Sequence, residues 1–128
     1  MSTDARDLAV AALYELDLRG STEPPTDLPP KAAALVAGVI EHRNELDEAI
    51  DTVSEHWRLE RMPVVDRAIL RLGVFELRHR PRTPAAVVVS EAVRLAKEYS
   101  TERSGAFVNG VLATLAEQTG ASTPPESG

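Results

Sequence analysis

Residues 63–80 limit what this chain can fold into more than any other stretch. Val65, Ile69, Leu70, Leu72, Val74, Phe75 and Leu77 fall around most of a helical cylinder rather than on one stripe. A helix that is apolar nearly all round must be enclosed by other elements. Pro63 suits its first turn, where a missing N–H costs nothing, and Pro81 ends it. The rest of the chain is therefore expected to wrap this helix.

The remaining segments supply helices to do so. Residues 3–19 place Leu8, Ala12 and Leu16 on one stripe, with Ala9 and Leu13 beside it. Thr3 is the expected N-cap, with Asp4 at the positive end of the dipole, and Gly20 is a natural stop. Four prolines within residues 20–30 leave a loop. A second helix is expected over 31–43, with a break at Asn44. A third carries Leu46, Ile50, Val53 and Trp57 on one stripe and an acidic opposite face. Thr83-Pro84 opens a fifth over 84–99, with Val88, Ala92, Leu95 and Tyr99 on one face. A sixth runs from about 103 to 118, through Phe107, Val108, Val111, Leu112 and Leu115. Val87-Val88-Val89 has strand propensity, but the helical period continues through Ala92 and Ala96. The expectation is an all-α domain over 1–118 and a disordered polar tail over 119–128.

Composition narrows the chemistry. With 128 residues the chain is one domain's worth. It has no cysteine, which removes disulfides, thiolate zinc sites and thiol catalysis together. There is no signal peptide pattern and no apolar run of about 18 residues, so a cytoplasmic home is expected. His42, His56 and His79 show no metal-ligand spacing and read as surface histidines. No P-loop, GxGxxG or GxSxG motif occurs. Neither an enzyme nor a cofactor or metal is expected.

The charge is uneven. The net value of −6 argues against unassisted nucleic-acid binding. Yet residues 58–82 carry seven Arg against three acids. Arg suits phosphate forks and stacking on bases. Arg78, His79, Arg80 and Arg82 also suit a helix C-terminus, where cations are favourable.

Six phrases occur in a telling order: LYELDL (13–18), LVAGVIEHRNELDEAI (35–50), Trp57, DRAILRLGVFEL (66–77), VSEAVRLAKEYS (89–100) and FVNGVL (107–112). Together they resemble the NusB family from about residue 6 to residue 117. The resemblance implies two three-helix bundles packed across each other and no enzyme activity. It implies transcription antitermination, with a secondary role in ribosome biogenesis. The implied partners are NusE, which is also a small-subunit ribosomal protein, and boxA RNA of ribosomal RNA leaders, on an RNA polymerase antitermination complex. A homodimer is an option for the free protein. Family members often begin with an Arg-rich arm; here Arg6 stands alone between Asp4 and Asp7. A partner that brings positive charge is therefore expected to matter more.

The resemblance points to Arg6, Tyr14, Asp66, Arg67, Arg103 and Phe107 as an RNA site, where the starts of the first, fourth and sixth helices converge. Each has a plainer reading. Tyr14 and Phe107 are stacking platforms or aromatics of the core and its edge. Asp66 is a base acceptor or a helix-dipole partner. Arg67, one turn from Arg71, contacts phosphate or sits in an ordinary polar face. Arg103 lies in the turn just before Phe107. Asn109-Gly110 reads as a packing feature, with Gly110 admitting a close helix approach. Two other functions fit the pattern: the detached NusB-like domain of a ribosomal RNA cytosine methyltransferase, and a purely structural helical dimer. The 128 residues hold no nucleotide-binding αβ unit after the helical domain; if they are the whole gene product, the former is not expected.

Overall fold

The computed structural model describes residues 4–54 and 57–119. The Thr3 cap, His56 and the tail beyond Thr119 lie outside the described residues. Six helices follow one another: α1 (Ala5–Arg19), α2 (Pro30–Glu41), α3 (Arg43–Val53), α4 (Val64–His79), α5 (Ala85–Tyr99) and α6 (Glu102–Thr119). A short 3-10 turn, Leu59–Arg61, precedes α4. No strand occurs among the described residues, so the valine run of 87–89 is helical.

Helix α4 is the centre, as its apolar circumference requires. All residues from Ala68 to Leu77 are buried, and α1, α2, α3, α5 and α6 all pack on it. Helices α1 and α3 pack on α2, whereas α5 and α6 pack on each other. The close approaches of α4 to α2 and to α6 depend on glycine. A Cβ on Gly38 would collide with the Phe75 ring, and one on Gly73 would lie 2.7 Å from Leu112 Cδ1. Gly110 is not such a point: a Cβ there meets nothing within 4 Å.

Local signals explain the helix ends. Asp4 caps α1 by accepting from the Arg6 N–H at 2.8 Å. Gly20, with φ 65°, closes it in the left-handed region; Ser21 N–H bonds Leu16 O and Gly20 N–H bonds Asp17 O. The break between α2 and α3 falls at His42 rather than Asn44. Helix α3 stops at Val53, so Trp57 is not on its stripe. Side-chain bonds to the backbone take over there: the Ser54 hydroxyl donates to the Trp57 carbonyl, and Asp51 accepts from the Leu59 N–H at 2.8 Å.

Candidate nucleic-acid interface

Helices α1 and α4 run in opposite directions. The start of α1 lies against the last third of α4, where Arg6 makes a bidentate pair with Glu76, both distances 2.8 Å. The end of α1 lies at the first half of α4, where Asp17 meets Arg67 at 3.1 Å and Arg71 at 3.3 Å. Glu76 is ten residues from Asp66, about 15 Å along a helix axis. Arg6 is therefore set apart from the α4 start, because an antiparallel helix carries its own start to the far end. Its hydrogen bonds to Glu76 raise its pKa further, against the opposing effect of burial.

The starts of α4 and α6 do meet. Asp66 is buried and accepts from the Ser104 hydroxyl at 2.8 Å. Ser104 in turn accepts from Thr101 Oγ1 at 3.1 Å, and its N–H donates to the same Thr101 oxygen at 3.0 Å. Thr101 thus caps α6. The other oxygen of Asp66 has no hydrogen-bond partner among the described residues. Only 1% of Asp66 is exposed, so its carboxylate holds the α6 start from below rather than facing solvent.

Arg67 is engaged within the protein, donating to Asp17 and, at 3.1 Å, to the Glu60 carbonyl. Arg71 is buried and pairs with both oxygens of Asp47, at 2.7 and 3.2 Å. The two arginines sit on one face, as their spacing implies, but that face is covered by α1 and α3. Their charges meet acids that lie 24 to 54 residues away.

Tyr14 is 38% exposed. It lines a groove of about 400 Å³ with Asp7, Val10, Ala11, Glu15, Val65 and Tyr99. Tyr99, placed by its spacing on one face with Val88, Ala92 and Leu95, is exposed at the groove's rim and donates to Asp7 at 2.8 Å. Asp7 also accepts from Arg94 at 2.8 Å. The hydrogen bond from Tyr99 to the Asp7 carboxylate, with burial adding to it, pushes the Tyr99 phenol above its ordinary value. Arg94 is raised mainly by its bond to Asp7.

Phe107 is part-buried against the core. The exposed Trp57 ring lies 5.8 Å from it, tilted by 48°. Arg103 is exposed one turn before Phe107 on the same helix face. No side-chain hydrogen bond or ion pair engages Arg103 among the described residues. The outer surface therefore offers an aromatic pair beside an uncommitted guanidinium, which suits stacking on a base next to its phosphate. Trp57 escaped the sequence reading because its spacing continued the α3 stripe.

Known proteins resemble this chain in sequence and in fold. The family model described as "NusB family" matches residues 3–117. The transcription antitermination protein NusB of Frankia casuarinae is 57% identical over 96 residues, covering 75% of this chain and 71% of that protein. That of Sorangium cellulosum is 46% identical over 127 residues, covering 90% and 91%. The solved structure of Thermotoga maritima NusB, 33% identical, superposes with a TM-score of 0.78 over 92% of this chain and 94% of that one. A structure of antitermination factors NusB and NusE in complex with double-stranded RNA, also 33% identical, gives 0.76 over 89% and 94%.

Proposed function

The chain belongs to the NusB family, and from that premise we propose that it is a transcription antitermination factor that binds RNA together with NusE. It works by binding, not catalysis. Relatives of similar length carry the antitermination role in their names. A structural neighbour holds NusB with NusE and RNA. The RNA assigned here is boxA of ribosomal RNA leaders. The setting is the cytoplasmic RNA polymerase complex, and the outcomes are processive transcription and ribosome biogenesis.

The observation that carries the RNA face is the Trp57–Phe107 pair with Arg103 one turn away. Tyr14 extends this face across the α4 start. Arg67, engaged by Asp17 and the Glu60 carbonyl, supports the start of α4 rather than offering a free cation to RNA. Asp66 acts through Ser104, fixing the turn that presents Arg103 and Phe107. Arg6, held by Glu76, lies outside this face. The test is a titration of labelled boxA RNA with this protein, with NusE, and with both. Tight, sequence-selective binding by the pair supports the assignment. An affinity no greater than that of NusE alone rejects it.

A further inference from the structure

His42 and His79 are 37 positions apart in sequence, yet their rings stack with centroids 3.9 Å apart. His42 stands at the α2–α3 corner and His79 in the last turn of α4. Both reach Glu45. His42 Nδ1 is 3.4 Å from Glu45 Oε1; His79 Nε2 is 3.2 Å from Oε1 and 3.3 Å from Oε2. The three ligand atoms lie within 4.8 Å of one another. Each side chain is part-exposed, between 30% and 39%, so an ion has access. Phe75 backs the histidines, its centroid 5.4 Å from His79 and 6.0 Å from His42.

We propose that His42, Glu45 and His79 form a binding site for a zinc-like divalent transition metal. Metal–ligand bonds of about 2.0–2.2 Å at the tetrahedral angle put neighbouring ligand atoms about 3.3–3.6 Å apart. The separations to Glu45 already match that edge, within about 0.2 Å. Two imidazoles and a carboxylate are a recurrent zinc donor set, leaving a fourth position to water. A neutral imidazole coordinates through one nitrogen while the other keeps the proton. The bound ion ties the α2–α3 corner to the end of α4, across the seam of the two helix groups.

Arg78 is the competing feature. Its Nη1 donates to Glu45 Oε2 at 3.1 Å, and its charge opposes a cation. The ion therefore takes Oε1, on which both histidines converge, and Arg78 limits affinity. This site is independent of RNA binding.

The experiment uses the untagged full chain titrated with cobalt(II), read by the visible bands of four-coordinate cobalt, and with zinc, read by calorimetry. One ion per chain is expected, with a higher thermal midpoint in zinc. His42→Gln and His79→Gln are each expected to weaken binding by about tenfold or more, since losing even an outer-shell partner costs about 10–100-fold. Arg78→Gln is expected to bind more tightly. His56→Gln is expected to bind as the parent does. Circular dichroism confirms that each variant is folded. Absence of binding, or binding unchanged in both His42→Gln and His79→Gln, overturns the proposal.

Discussion

The hydroxyl of Ser104 and the carboxylate of Asp66 are 2.8 Å apart, both buried, and they join the first turn of α6 to the first turn of α4. Among the described residues Asp66's second oxygen has no hydrogen-bond partner, and this bond is the one side-chain anchor they give the carboxylate. Ser104→Ala is expected to cost about 1–3 kcal/mol by stranding a buried acceptor. Asp66→Asn keeps an acceptor for Ser104 and is expected to cost less. Urea unfolding of the two variants checks the order. Because the bond sets the turn bearing Arg103 and Phe107, Asp66→Ala in the NusE-bound state is expected to reduce the ratio of boxA to scrambled-RNA affinity. An unchanged ratio would leave Asp66 a purely structural group.

Stacking and phosphate contact are separable on the proposed face. Trp57→Ala and Tyr14→Ala are each expected to weaken RNA binding by about 1–3 kcal/mol with no change in salt dependence. Phe107→Ala is expected to do the same, with an added loss of stability because the ring also packs on the core. Arg103→Ala is expected to weaken all RNAs alike and reduce the salt slope by about 0.7 for a single strand. Titrations at several salt concentrations distinguish the two behaviours. A salt slope that Arg103→Ala leaves intact would remove that residue from the phosphate contacts.

An acidic chain with one arginine in its first turn is expected to bind boxA weakly alone and much more tightly with NusE. Arg6 is already committed to Glu76, which strengthens this expectation. Linkage requires RNA to tighten the contact with NusE by the same factor. Measuring NusE affinity with and without RNA, beside RNA affinity with and without NusE, closes the cycle. Equal RNA affinity in the presence and absence of NusE contradicts it.

Glu45 gives a pH signature. Burial alone pushes its carboxyl up, but hydrogen bonds from Arg78 and His79, with their charges, outweigh this and hold it below 4.5. A carboxyl depressed by folding stabilises above its unfolded pKa, and that stability is lost as pH falls through the folded value. The parent is therefore expected to exceed Glu45→Gln in stability at about pH 7, and by a smaller margin at about pH 3. Denaturant midpoints at the two pH values, without metal, read this directly. A gap that stays the same or widens in acid would assign the stabilisation to something other than the ionised carboxylate.

The sequence by itself determined the helices and their order. The apolar circumference of residues 63–80 marked α4 as the centre, and prolines and Gly20 marked the boundaries. Those signals are local: helix periodicity and capping act over three or four residues. Only the tertiary structure decided which polar groups remain available. Arg67 and Arg71 read as a basic face, but Asp17 and Asp47 consume them. Asp66 read as a reachable acceptor, but the approach of α6 buries it. Trp57 continued a helical stripe in sequence, and the turn through Ser54 and Asp51 placed it beside Phe107 instead. His42 and His79 carried no shared signal until α4 brought them face to face. Ion pairing and burial depend on which helices approach, and nothing in the spacing along one helix records the charge or bulk that its neighbour presents.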